Sequence, residues 1–247
     1  MARLSIVIPA RNEAANIAAL VDEVARVLAA EPEIEIIVVD DGSTDGTTAV
    51  LAERQAFIPG LRILRHPISG GQSAAVHSGV LAATGSLICT LDGDGQNPPE
   101  HLPALIAALR EAGSGLVGLV AGQRTGRKDP LSKRLASRFA NGLRGWLLGD
   151  RTRDTGCGLK AFRREAFLAL PYFDHMHRYL PALFTRDGWE VRHVDVGHRP
   201  RVAGSSNYSN LQRGLVGIVD LCGVLWLMRR AKKTRPTPTP SNQIAGD

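Results

Sequence analysis

Two short acidic clusters hold the side chains most able to do chemistry. One is Leu91-Asp92-Gly93-Asp94-Gly95-Gln96, and the other is Val39-Asp40-Asp41-Gly42-Ser43-Thr44-Asp45-Gly46-Thr47. In the first, glycines let the backbone bend so that both carboxylates aim at one point. That is a donor set for Mg2+ or Mn2+, hard cations that take a few protein oxygens and complete their shell with phosphate oxygens and water. A cation held there neutralises a departing diphosphate. The competing reading is an acidic turn with no ligand, while a calcium EF-hand is excluded because the loop and terminal Glu it needs do not follow Gln96. A lone Asp-Gly turn in the second cluster reads as a helix cap, with Ser43 or Asp45 accepting free backbone N–H groups. Adjacent Asp40 and Asp41 ask for more, because their repulsion has to be offset by a ligand or by hydrogen bonds.

Both clusters follow short apolar runs. Such runs recur at Leu4–Ile8, Ile34–Val39, Leu61–Leu64, Ser86–Leu91 and Leu116–Ala121, too short for helices and rich in Val and Ile, and they read as buried parallel strands. Helical spacing occupies Glu13–Ala29, Thr47–Gln55, Gln72–Ala83 and Pro99–Glu111 between them. The alternation predicts a doubly wound α/β sheet with helices on both faces. Ligands of such sheets bind beyond the carboxyl ends of the strands, which is where Pro9–Glu13, Asp40–Asp45 and Asp92–Gln96 fall.

The second half is less regular, with a basic helix expected over Leu131–Leu148, a Gly-rich turn around Asp154–Gly158 and a strand at Glu190–Val196. Leu211–Met228 is mostly apolar but interrupted by Asp220, and it is shorter than the roughly 20 apolar residues of a membrane span. An interfacial helix and a core-packed helix both fit it. The Thr-Pro repeats after Lys233 read as a disordered tail. The organisation expected is thus an α/β domain over 1–207, the apolar helix over 208–230 and the tail over 231–247.

The 247 residues are 44% hydrophobic, ample for a core, and the formal charge of +6 points to an anionic partner. Nucleic acid is disfavoured because neither a stacking aromatic set nor a recognised module is present. Cys89, Cys157 and Cys222 have no zinc-binding spacing and fit a reduced cytosolic setting. Charged Arg11 and Glu13 follow the first apolar run at once, which argues against a signal peptide. His175 and His177 read as structural or surface residues, and Trp146, Trp189 and Trp226 as packing residues, with Trp226 also suited to a membrane interface.

Val7-Ile8-Pro9-Ala10-Arg11-Asn12-Glu13-Ala14-Ala15-Asn16-Ile17, followed by Asp40–Thr47 and Asp92–Gln96, resembles the family-two inverting glycosyltransferases of the GT-A fold, whose sheet is Rossmann-like and mostly parallel. The resemblance implies that Pro9, Ala10, Glu13 and Asp40, with Asp41 at the edge, line the donor nucleoside pocket. It implies that Asp92, Asp94 and Gln96 hold Mg2+ or Mn2+ on the sugar diphosphate. Further on, Gly122-Gln123-Arg124, then Lys133, Arg134, Ser137, Arg138 and Asn141, then Asp154-Thr155-Gly156 leading to Leu159-Lys160, and Arg201 before Gly204-Ser205-Ser206 are similar to dolichol-phosphate mannose synthases and bacterial relatives.

In that group cations surround the donor and acceptor phosphates. Carried over, these are Arg124 and, on the acceptor side, Lys133, Arg134, Ser137 and Arg201. Without the upstream motifs this basic run reads as a solvated helix face. The sequence departs from the group at Asn207, where a Lys is usual, with Arg199 nearby to compensate, and in lacking the pair of long C-terminal membrane helices of some relatives.

The resemblance implies transfer of a sugar from a GDP- or UDP-linked donor to a polyprenyl phosphate at the cytoplasmic face of a membrane, with Asp94, Arg124 and Asp154 at the reacting centre. An ionised phosphate acceptor needs no strong base, whereas a hydroxyl acceptor needs a carboxylate to take its proton, and Asp154 is then the candidate. Transfer to a hydroxyl is the second reading, and a non-catalytic nucleotide-sugar-binding protein the third.

Overall fold

The structure is a computed structural model that describes residues 3–31, 33–111, 116–125, 142, 144–150, 152–200 and 210–231, with only the backbone of 210–216. The apolar runs form strands β1 (Leu4–Ala10), β2 (Glu35–Asp41), β3 (Leu61–His66), β4 (Leu87–Thr90) and β5 (Val117–Arg124). A four-residue strand, β6 (Lys160–Arg163), and β7 (Glu190–Val196) complete one sheet in the order β3-β2-β1-β4-β6-β5-β7. All neighbours are parallel except β6, which is antiparallel to both β4 and β5. The sequence reading omits β6, because Lys-Ala-Phe-Arg carries neither alternation nor a Val/Ile run; its place comes from the two strands that sandwich it.

Strands buried on both faces send alternate side chains to opposite cores. Ile6, Ile8, Ile36 and Val38 pack on one face with α1 (Ile17–Val27), α2 (Thr47–Gln55) and α4 (Leu102–Glu111). Val7, Ile37 and Val39 pack on the other with α3 (Gln72–Ala82), α5 (Arg164–Leu168), α6 (Leu180–Arg186) and α7 (Asn210–Arg229). α1 is shorter than its periodicity predicts, because a turn precedes it, with the Glu13 carbonyl accepting from the amides of Asn16 and Ile17. Pro99–His101 forms a 3-10 turn before α4. Residues 126–141 and the tail from 232 lie outside the described residues, and with them most of the expected basic helix; 144–148 are helical.

Of the two readings left open for the apolar C-terminal segment, core packing holds for one face of α7, while the other face is exposed. Val224 is buried and Leu221, Leu225, Leu227 and Met228 pack on the core, while Ile218, Val219 and Trp226 are exposed. Asp220, the charge that interrupts the segment, meets His175 Nδ1 at 3.0 Å. Arg186 donates to the carbonyls of Leu227 and Arg230 at the helix end, satisfying acceptors that lack intrahelical partners. Among the described residues no helix is long and apolar enough to cross a membrane.

The opposite end of the sheet is held by Glu35, a buried carboxylate at the start of β2. It accepts from Ser5 Oγ (2.6 Å), Arg62 Nη1 (2.8 Å), and the amides of Thr84 (2.5 Å) and Gly85 (3.2 Å). Burial works against its charge, but these donors outweigh it and bring the pKa down to about 2 from the ordinary 4.5. A depressed carboxylate stabilises the fold above its unfolded pKa and ceases to do so as the pH falls through the folded value. Glu35→Gln is therefore expected to cost about 2–3 kcal/mol at neutral pH. In urea unfolding that gap should narrow progressively between pH 4.5 and 2.

Candidate active site

The β1–α1 and β2–α2 loops are laced together above the carboxyl ends of their strands. Asn12 N donates to Ser43 Oγ (2.9 Å), Thr44 N to Asn12 Oδ1 (2.9 Å), Glu13 N to Thr47 Oγ1 (2.9 Å) and Ala14 N to Asp45 Oδ2 (3.2 Å). Asn12 takes a left-handed backbone conformation to do this, φ 56°, which a short polar side chain tolerates. Asp45 also accepts from the first helical amide, that of Thr47, so it keeps part of its expected capping role.

Hydrogen bonds offset the repulsion between Asp40 and Asp41 by sending the two carboxylates in different directions. Asp40 is fully buried and accepts from Ser43 N (2.9 Å) and Thr48 Oγ1 within its own turn. Asp41 reaches across to the β3–α3 loop and accepts from Ser69 Oγ (2.7 Å), Gly70 N (2.8 Å) and Gly71 N (2.9 Å), with His66 Nδ1 at 2.7 Å. Burial opposes its charge, yet these donors hold its pKa below the usual carboxylate range. Gly42 has φ 68° and lies so close to Ile68 and Ser69 that a side chain has no room.

The loop that Asp41 fixes ends in Gln72 at the start of α3, and Gln72 Nε2 donates to Asp92 Oδ1 at 2.7 Å. Asn97 Nδ2 donates to Asp92 Oδ2 at 3.2 Å. The acidic turn rests directly on the first motif, with Gly93 N donating to the carbonyl of Pro9 (3.2 Å) and Gly93 packed on Ala10. Asp94 accepts from Gln96 N at 3.1 Å. Burial and then the charge of Asp94 raise the pKa of Asp92, against the opposing pull of Lys160, Arg124 and Asn97. Two hard-oxygen carboxylates held together against repulsion suit a small divalent cation. Among the described residues no group of three His, Cys, Asp or Glu is placed to hold a metal ion.

Opposite the acidic turn, Arg124 at the end of β5 forms a two-point ion pair with Asp154, Nε–Oδ2 2.5 Å and Nη2–Oδ1 2.9 Å. Burial disfavours the guanidinium charge, and Asp154 more than restores it. Buried Gln123 fixes this partner by accepting from the amides of Arg153 (2.8 Å) and Asp154 (2.9 Å). Lys160, 4% exposed, donates to the carbonyl of Cys157 beneath the same turn. His177 lies 2.8 Å from Ser73 Oγ through Nδ1, and burial followed by the nearby cations Arg178 and Lys160 places its pKa well below the ordinary value.

Pro9, Ala10, Glu13, Asp40, Asp41, Asp92, Asp94, Gln96, Arg124 and Asp154 thus share the carboxyl end of the sheet. Lys133, Arg134, Ser137 and Arg201 lie outside the described residues, as does Asn207. Arg199 is committed elsewhere, with its guanidinium paired to Glu23 at 2.9 and 3.0 Å. Sequence reading gave no role to Gln72, Ser73 or Asn97, all uncharged; Gln72 and Ser73 become neighbours of the site only through folding, whereas Asn97 directly follows Gln96 in the chain.

The family model for Glycosyl transferase family 2 matches residues 5–170. The chain belongs to that family. It is 36% identical over 239 residues to the dodecaprenyl-phosphate galacturonate synthase of Rhizobium johnstonii, covering 94% of this chain and 69% of that one. It is 33% identical over 224 residues to the undecaprenyl-phosphate 4-deoxy-4-formamido-L-arabinose transferase of Aeromonas hydrophila, covering 88% of this chain and 65% of that one. This family-two chain thus spans about two thirds of the length of these curated relatives.

Its fold is that of glucosyl-3-phosphoglycerate synthase from Mycobacterium tuberculosis, with TM-score 0.66 at 22% identity over 94% of this chain and 82% of that one. It is also that of mannosyl-3-phosphoglycerate synthase from Rubrobacter xylanophilus, with TM-score 0.68 at 18% identity over 99% and 80%. The mostly parallel sheet is therefore of the GT-A type.

Gly158 packs so tightly on the Asp92 carboxylate that a methyl group there has to displace it. Gly158→Ala is expected to lower glycosyl transfer by about 10–100-fold, the usual effect of disturbing a group that orients a ligand. The thermal midpoint should stay within a few degrees of wild type, since a shift of roughly 2–4 °C corresponds to about 1 kcal/mol for a chain of this size.

Proposed function

We propose that this protein is an inverting glycosyltransferase that moves a sugar from a nucleoside-diphosphate donor to a polyprenyl phosphate. The observation that carries the reading is the Asp92–Asp94 turn, seated on Pro9–Ala10 at one side and faced by Arg124 and Lys160 at the other. Family membership and the two relatives named for polyprenyl-phosphate transfer, from Rhizobium johnstonii and Aeromonas hydrophila, support the lipid phosphate as acceptor. A net charge of +6 suits a reaction between two anionic substrates.

In this reading Pro9, Ala10, Glu13, Asp40 and Asp41 form the nucleoside side, and Asp92, Asp94 and Gln96 hold Mg2+ or Mn2+ against the diphosphate. One mycobacterial neighbour of the same fold was crystallised with Mn2+ and uridine-diphosphate-glucose. A bound divalent ion supplies charge neutralisation for the leaving diphosphate. Arg124 offsets the approach of the acceptor phosphate, together with Lys133, Arg134, Ser137 and Arg201.

Asp154 accepts at both oxygens from Arg124, which makes it an anchor for the guanidinium more than a proton acceptor. That suits an acceptor ionised before it binds. Inversion follows if the phosphate oxygen attacks the anomeric carbon from the face opposite the departing diphosphate.

The exposed stripe of α7, Ile218, Val219 and Trp226, ends in Arg229 and in Arg230, whose guanidinium lies 5.9 Å from the Trp226 ring centre. An apolar strip with an aromatic residue and basic residues fits peripheral attachment to an anionic leaflet. The combined replacement of Trp226, Arg229 and Arg230 by Ser is expected to lower the partition coefficient onto phosphatidylglycerol vesicles, read by sedimentation, by at least about 30-fold, from roughly 1 kcal/mol per lost cation with the lost indole adding to it. Donor binding should be unchanged.

The reaction is tested with a panel of labelled GDP- and UDP-sugars and a short polyprenyl phosphate in detergent. Label should appear in the lipid phosphate only with Mg2+ or Mn2+, and Asp94→Asn should lower the rate by at least about 100-fold, in the range found for removal of one transition-state charge stabiliser. Donor consumption without lipid labelling would favour a hydroxyl acceptor. In that case Asp154→Asn would abolish transfer while leaving donor affinity intact.

A further inference from the structure

Lys160 is a buried cation that the reaction as outlined does not use. It sits on β6, the one antiparallel strand, wedged between β4 and β5. Being antiparallel, β6 begins where its neighbours end, so its first residue is delivered to the carboxyl end of the sheet beside Asp92. Residues two apart on a strand share a face, and Phe162 belongs to the core beneath α3 and α6. Lys160 therefore enters the site from that side, under the wall formed by Ser73 and His177. Its electrostatic neighbours are Cys157, Asp92 and Asp154, with Arg124 opposing. Its ammonium donates to the carbonyl of Cys157, a neutral acceptor.

A buried ammonium is costly unless anions compensate it. Asp154 already has a two-point partner in Arg124, whereas among the described residues Asp92 takes its hydrogen bonds from the neutral amides of Gln72 and Asn97, faces the charge of Asp94, and is favoured first by the charge of Lys160 and then by that of Arg124. The ammonium is therefore placed to offset the charge of Asp92.

We propose that Lys160 is a built-in counter-ion for the Asp92–Asp94 pair, standing in for the divalent cation and weakening its binding until the nucleoside diphosphate arrives. The inference rests on the metal-dependent reading above. Its consequence is coupling: the phosphates add the negative charge that lets a dication and the ammonium coexist, so metal and donor bind as a unit. Lys160 is on this account a positioning residue that acts through the carboxylates.

The test is direct titration of Mn2+, followed by the electron paramagnetic resonance of the free ion, with the full chain alone and with saturating UDP or GDP. Wild type should bind Mn2+ weakly alone and at least about tenfold more tightly with nucleotide, a modest effect for a unit charge near a dication. Lys160→Met, which keeps the length and removes the charge, should bind Mn2+ alone at least about tenfold more tightly than wild type, with less gain from nucleotide. Lys160→Arg should behave as wild type.

The melting temperature of Lys160→Met should also rise more on adding Mn2+ than that of wild type, since the ion replaces the missing charge. If this variant is insoluble in buffer, expression and purification with Mn2+ present should recover it, and insolubility under both conditions counts against the proposal. Equal or weaker Mn2+ binding by Lys160→Met overturns the counter-ion role. Absence of Mn2+ binding by wild type, even with nucleotide, overturns instead the metal-dependent reading on which it rests.

Discussion

Two carboxylates pressed together at the end of a buried strand are the constraint around which this site is organised. Asp92 and Asp94 repel, and burial adds to the cost of charging Asp92. The surroundings answer with donors and cations from other parts of the chain, Gln72 from α3, Arg124 from β5 and Lys160 from β6, joined by Asn97 from the same loop as the pair itself. None of these is a neighbour of Asp92 in a single helix or strand. Packing is specified as well as charge, because a side chain at 93 would press on the Pro9 carbonyl and Ala10, and one at 158 would displace the Asp92 carboxylate.

The second acidic pair solves the same problem differently. Asp40 and Asp41 turn to opposite sides and are satisfied wholly by backbone amides, hydroxyls and His66. Asp41 thereby fixes the loop from which Gln72 reaches Asp92. The two acidic clusters are linked through that loop, so the shape of one depends on the hydrogen bonds of the other. The lacing of Asn12–Ala14 to Ser43–Thr47 closes the remaining side.

The C-terminal helix shows how one segment meets two demands. Its inner residues complete the core under α6, and Asp220 engages His175, two residues from His177 in the wall of the site. Its outer residues leave an apolar strip in place. A helix of uniform hydrophobicity offers no such division, and the interrupting charge that keeps this one from reading as a membrane span is the group that ties it to the protein.

The sequence by itself determined the parallel strands, the helices between them, the end of the sheet that carries the chemistry and the two acidic clusters. These are local signals: runs of Val and Ile buried on both faces, helical periodicity, and Asp-Gly turns at strand ends. The tertiary structure alone decided that β6 runs antiparallel through the centre, because a four-residue strand with charged ends acquires its identity from its neighbours. It also decided the partners of each charge. Asp154 takes Arg124, Arg199 turns to Glu23, and Lys160 is brought under Asp92, since pairing depends on distances between residues far apart in the chain and on burial that strengthens each contact.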